Sequence, residues 1–264
     1  WGVRMKKYAI SSAFLKHVAY LSMLIDHFFV VVFAAYRGWL EMQGNLTDTV
    51  NDIYDLGRHV GRIAFILFAF MASEGFRYTH SRKRYLLRLF SFALISEVPF
   101  DLAIEGSVIS MASQNVYWTL FLGVLGLCLL EKLHGKLFWQ FLGVLLCCAA
   151  AVVLKTDYML MGVLLIIVFY LCGGSFLHQF VFGSGIIYLG QVMLYVIRYW
   201  GKDIPLAIYM QASMSELYGL FAFCFIYYYN GKKGRQLPKA FYYWFYPLHL
   251  LFLYGIKLIL FPGV

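Results

Sequence analysis

Charge is what this chain has least of. Of its 264 residues only 13% are Asp, Glu, Lys or Arg, about half the share of an ordinary soluble domain. A chain so poor in charge cannot coat a soluble globule. Proline and cysteine are scarce too, at five each. Cys128, Cys147, Cys148, Cys172 and Cys224 form no C-x-x-C, are odd in number and fall in apolar runs. They therefore read as small packing residues rather than as metal ligands or a disulfide framework. Neither a P-loop nor a G-x-G-x-x-G is present, which excludes a soluble phosphate-binding module. Internal repeats and low-complexity linkers are lacking as well.

What fills the chain instead is apolar surface: 62% of residues are hydrophobic and 20% aromatic, with a mean hydropathy of +0.73. A spanning helix needs roughly 20 apolar residues, and about nine such stretches occur, at 13–36, 57–77, 85–104, 115–131, 137–153, 158–173, 176–199, 204–229 and 239–261. The expected fold is therefore all-α, a polytopic membrane protein whose single membrane domain occupies residues 1–264. The WGVR ahead of Met5 reads as an expression scar, and nothing before the first span resembles a cleavable signal peptide.

Orientation follows from where the cations gather. Arg4, Lys6 and Lys7 precede the first span; Arg77, Arg82, Lys83, Arg84 and Arg88 surround the second turn; Lys232, Lys233, Arg235 and Lys239 separate the last two spans. Glu41, Asp48, Asp52 and Asp55, and later Glu105, occupy the alternate loops. The N-terminus is thus expected in the cytoplasm and, with an odd number of spans, the C-terminus outside, in a plasma or inner membrane. The net charge of +9 is mostly loop charge facing acidic lipid headgroups, so nucleic acid is not an expected partner. Tyr227–Tyr229 and Tyr242–Trp244 read as anchors in the headgroup layer. The sequon at Asn45 falls in an outer loop and carries little weight alone.

Against this background the ionisable residues inside the spans stand out, because each is expensive in hydrocarbon and marks a partner, a cavity or a path. Asp26 and His27, Glu97, Glu216 and His249 are expected near one depth, with Arg62, Asp101, Gln114 and Asn115 further out. Simple pairing, Arg62 with Asp101 for example, would account for a few of them. It accounts poorly for polar positions on five helices, where smaller residues would pack as well. A polar functional cavity is the better reading.

Neighbouring helical residues point about 100° apart, so Asp26 cannot orient the His27 ring from the same face. Lys16, Tyr20, Met23 and His27 instead share one stripe, with Lys16 and His27 about 16 Å apart. A cation at the cytoplasmic mouth in line with a deep imidazole suits an elongated ligand with phosphates at one end and a reactive group at the other, although a snorkelling lysine would also place Lys16 there. The run RYTHSRKRYLLR from Arg77 to Arg88 adds phosphate-competent donors, and Glu74–Gly75 offers a close approach of backbone to ligand.

Four blocks carry a family resemblance: LKHVAYLSMLIDHFF, then GRIAFILFAFMASEGFRYTHSRKRYLLRLFSFALISEVPFDL, then QNVYWTLFLG, and finally YGLFAFCFIYYYNGKKGRQLPKAFYYWFYPLHLLFLYGI. In this order they resemble the TraX family, named for conjugative pilin acetylation, and through it the wider membrane acyltransferases that include acyltransferase-3 and heparan glucosaminide acetyltransferase. The resemblance implies an acyl-CoA-dependent N- or O-acetyltransferase in which acetyl-CoA enters from the cytoplasm and an acceptor is modified on the opposite side. That acceptor would be a protein N-terminus, a sugar or a lipid. It places His27 as the essential membrane-embedded histidine. Lys16 stands where an arginine is usual, and Ile66 where a proline is expected.

On this reading His27 is the general base, and Glu97 or Glu216 reaches across to fix its tautomer. Arg62 stabilises oxyanion charge or holds an acceptor carboxylate, and Asp26 pairs with Arg62 or positions the acceptor. Lys16, Tyr20, Glu74, Arg77, Arg84 and Arg88 line the acetyl-CoA site, while Asp101, Gln114, Asn115 and His249 face the acceptor. No metal is implied. The alternative from another class is a proton-coupled transporter or flippase built on the same acidic and His residues, against which stands the lack of paired broken repeats.

Overall fold

The computed structural model describes residues 9–199, 201 and 205–263. The basic cluster Arg4, Lys6 and Lys7, the WGVR segment and the first residue of the expected 204–229 span lie outside the described residues. In chain order the helices are α1 (Ser12–Phe28), α2 (Ala34–Met42), α3 (Asp48–Tyr78), α4 (Arg82–Phe100), α5 (Val116–Lys132), α6 (Leu137–Val153), α7 (Met159–Leu171), α8 (Phe176–Arg198), α9 (Leu206–Ser213), α10 (Phe221–Tyr228) and α11 (Lys239–Leu260). A π-helical turn, Phe29–Phe33, joins α1 to α2; a second, Asp101–Glu105, follows α4; a 3₁₀ turn, Met214–Leu220, joins α9 to α10.

Among the described residues the architecture is all-α, without named strands. Four helices are long and apolar enough to cross a membrane: Ser12–Met42, Asp48–Tyr78, Phe176–Met193 and Lys239–Leu260. Leu137–Val153, Met159–Leu171 and Met214–Tyr228 are shorter apolar helices. α4 falls short on composition, because Arg82, Lys83, Arg84, Arg88 and Glu97 all lie in it.

Three helix boundaries differ from the sequence expectation. The expected 57–77 helix starts at Asp48, where an acid in the first turn complements the helix dipole, so most of the acidic loop is helical. The first helix runs on to Met42 through its π turn. The expected 204–229 helix is broken by the 3₁₀ turn that carries Glu216. All three irregular turns adjoin or contain polar site candidates, a recurrent position for π-bulges at functional sites.

The bundle is organised around α3, which packs against α1, α5, α7, α10 and the 3₁₀ turn. Its close contact with α1 depends on the repeat Gly57-Arg58 and Gly61-Arg62, four residues apart on one face. A Cβ on Gly57 would come within 2.1 Å of the Phe29 ring, and one on Gly61 within 2.0 Å of the Asp26 carboxylate. α11 closes the other side, packing on α4, α1 and both π turns.

The chain's first and last portions are also tied at their ends. Ser12 and Ala13 amides donate to the carbonyls of Lys232 (2.9 Å) and Lys233 (3.0 Å), satisfying donors that a helix N-terminus leaves free. Gly234 makes that approach with a φ of +68°, and a Cβ there would strike Ser11. The basic loop before α11 is thereby fixed over the mouth of α1.

Gly61→Ala is expected to destabilise the protein by about 1–3 kcal/mol, because the added methyl displaces Asp26. Gly185→Ala in α8, where a Cβ meets open space, is expected to be neutral or stabilising. Thermal midpoints of the purified variants in one detergent check both signs.

Candidate active site

His27 occupies the last regular turn of α1, immediately before the π turn. Its Nδ1 lies 2.6 Å from Nε2 of His249 on α11, and the rings stack at 4.8 Å between centroids. The other nitrogen of His249, Nδ1, lies 2.7 Å from the Phe245 carbonyl oxygen. A carbonyl only accepts, so Nδ1 of His249 carries the proton and its Nε2 is the acceptor. Nδ1 of His27 must then be the donor, which leaves Nε2 of His27 with a free lone pair. Two hydrogen bonds in series thus assign the tautomer of His27.

This arrangement replaces the expected carboxylate partner. Glu97 accepts from Asn115 Nδ2 and, at 2.7 Å, from Trp118 Nε1, while Glu216 pairs with Arg62 at 3.1 Å. Neither carboxylate is hydrogen-bonded to His27. His249, expected at the acceptor site, is the residue that orients it. Asp26 points away from His27 as the helix geometry requires, but its partner is Arg58, at 2.7 Å, rather than Arg62. Arg62 likewise pairs with Glu216 and not with Asp101, whose carboxylate accepts from the Ser110 amide at 2.8 Å.

Asp157 and Tyr158, in the α6–α7 connection, complete this polar group. Tyr158 lines one cavity with Arg62 and stacks on Phe65 at 3.6 Å. Asp157 stands within electrostatic reach of Asp26, Arg58, Arg62 and Glu216. Arg62, Glu216, Tyr158 and Ile66 line a small cavity of about 20 Å³, room for one water. Asn115 and Gln114 hold the loop before α5: Asn115 caps that helix through Tyr117 N (3.0 Å) and donates to Ala93 O (2.8 Å), and Gln114 donates to Ser110 O (3.3 Å) and Ser113 O (3.1 Å).

On the side of the basic loops a cavity of about 710 Å³ opens, within the usual range for a ligand site. Lys16, Tyr20 and Met23 run down one wall, as their shared stripe requires, and Glu74, Gly75 and Arg88 line it as well. Lys16 Nζ donates to Gln236 Oε1 at 2.6 Å and lies 4.3 Å from the Tyr242 ring centre. Tyr20 donates to the Tyr242 carbonyl.

Arg77 and Arg84 do not line the cavity. Arg77 is held by Glu74 at 3.5 Å and by the Tyr170 carbonyl at 2.9 Å, and the Arg84 side chain is exposed. Lys233 and Lys239 take their place at the mouth.

Arg58, Asp157, Tyr158, Lys233 and Lys239 are the site residues that sequence reasoning missed. Arg58 was detectable in the repeated Gly-Arg of α3. Lys233 and Lys239 were visible as topology signals, but their place at the mouth depends on the loop that caps α1.

A family model described as TraX protein matches residues 11–257. No curated protein and no solved structure matches the chain.

The Arg62–Glu216 pair yields a stability prediction. Each single change, Arg62→Gln or Glu216→Gln, is expected to destabilise by about 3–5 kcal/mol, since it leaves one buried charge without its partner. The double variant is expected to lose less than the sum, and a double-mutant cycle on unfolding in detergent reads the difference.

Proposed function

The chain belongs to the TraX family, and from that premise we propose that it is a membrane-embedded acetyltransferase. It takes acetyl-CoA from the cytoplasm and acetylates an amine or hydroxyl presented from the outer side of a plasma or inner membrane. In this reading the chain makes nine spans with its N-terminus inside and its C-terminus outside. The supporting observation is the His27–His249 relay, which leaves one unprotonated imidazole nitrogen beyond the deep end of a basic-mouthed cavity.

Lys16, Arg88, Lys233 and Lys239 would hold the phosphates of the acyl donor, and the tyrosine-rich walls its less polar parts. At the reaction, Nε2 of His27 removes the proton from the acceptor N–H or O–H as the acceptor attacks the thioester carbonyl. The new C–N or C–O bond forms, the C–S bond breaks, and the CoA thiolate leaves, taking the proton back from the imidazolium. While His27 is charged, its Nδ1–H remains bonded to His249, whose orientation Phe245 fixes. The outer group of Asp26, Arg58, Arg62, Glu216 and Asp157 would position the acceptor.

His27→Ala is expected to lower acetyl-CoA turnover at least about 100-fold, the usual share of a positioned general base. Turnover screened with amine, sugar and peptide acceptors measures it, and a folded His27→Ala protein with the native rate would sink the assignment. Lys16→Ala combined with Arg88→Ala is expected to raise the KM for acetyl-CoA at least about tenfold with a smaller change in kcat. Arg84→Ala is expected to change neither.

A further inference from the structure

The inner cavity stops at a wall. Its deep end is lined by Met23 of α1, Val116, Tyr117 and Leu120 of α5 and Tyr246 of α11. Tyr246 is the member of this group in ring contact with both histidines, edge to face at 5.7 Å from His27 and 5.7 Å from His249. It also meets the Tyr117 ring edge to face at 5.3 Å. Tyr246 is 3% exposed, with Tyr117 at 7% and Met23 at 6%.

The next residue, Pro247, stiffens the same wall. Proline has no amide hydrogen, so the carbonyl four residues earlier, on Tyr243, loses its helical donor. The Tyr117 hydroxyl donates to that carbonyl at 3.2 Å. α5 and α11 are therefore joined through Tyr117, by its hydroxyl bond to Tyr243 and its ring contact with Tyr246, at the level where the cavity ends.

From this geometry we propose that Tyr246 is the residue that sets acyl-chain length, a rigid wall that admits an acetyl group and excludes longer acyl groups. The inference rests on the acyl-CoA reading of the cavity. Phosphates held at the basic mouth fix how far the donor can slide, so each added methylene must press into Tyr246 and Tyr117. Close-packed walls do not absorb such volume without strain. Discrimination of roughly 10- to 200-fold per methylene is what an apolar pocket achieves.

The test compares dissociation constants of acetyl-CoA and butyryl-CoA for the purified full chain, which needs no acceptor. Native protein is expected to bind acetyl-CoA at least about tenfold more tightly than butyryl-CoA. Tyr246→Val is expected to bring the ratio near one, and Tyr246→Phe, which keeps the ring, to preserve it. Should Tyr246→Val fail to fold, Met23→Ala opens the facing wall and is expected to shift the ratio the same way. Equal binding by the native protein, or an unchanged ratio in a folded wall variant, overturns this inference while leaving the acetyl-CoA site in place. Native protein that binds neither acyl-CoA overturns both.

Discussion

A single hydrogen bond between two imidazoles, Nδ1 of His27 to Nε2 of His249, joins the first long helix to the last. Much of the bundle serves to make that bond possible. The glycines of α3 let α1 approach closely enough to place Asp26 and Phe29 against it. The π turn begins two residues after His27. On α11, Phe245 supplies the carbonyl that holds the proton of His249 on Nδ1. The loop before α11 caps α1 with its backbone and brings Lys233 and Gln236 beside Lys16. His27 near one end of α1 and Lys16 near the other are thereby carried on one helix.

Charge is divided on either side of this histidine pair. Toward the basic loops, Lys16, Arg88, Lys233 and Lys239 face a large cavity. On the other side the charges are paired, Arg58 with Asp26 and Arg62 with Glu216. Such buried pairs are weak sources of stability, since the cost of removing both ions from water offsets most of their attraction. Their retention in so charge-poor a chain fits a role in the site, and Asp157 beside them adds an acid to the group.

The helical character and the approximate helix positions were legible in the sequence because apolar runs and basic loops are local signals, whereas Glu97 and Asp101, expected with the other deep polar groups, are held by Asn115, Trp118 and Ser110 instead. The stripe through Lys16, Tyr20, Met23 and His27 was equally legible, since helix period alone determines it. Partners were not. Which residue meets His27 depends on how α11 lies across α1, and a histidine 222 residues away carries no local mark of that. The same limit explains Arg58 in place of Arg62 beside Asp26: both arginines lie on one face of α3, and one turn of helix register decides between them. Arg77 and Arg84 looked suited to a phosphate site by composition. Helix rotation and the Glu74 and Tyr170 contacts carry Arg77 away from it, and Arg84 faces outward.

On the proposed function the histidine pair is a crossing point between a donor from one side and an acceptor from the other. Sidedness therefore tests it most directly: sealed vesicles containing oriented protein, with radiolabelled acetyl-CoA supplied only at the cytoplasmic face and amine, sugar and peptide acceptors in both compartments. The expected result is label on acceptors of the opposite compartment while CoA itself stays where it was added. Label confined to acceptors sharing a compartment with acetyl-CoA, or acetyl-CoA recovered intact on the far side, would contradict it.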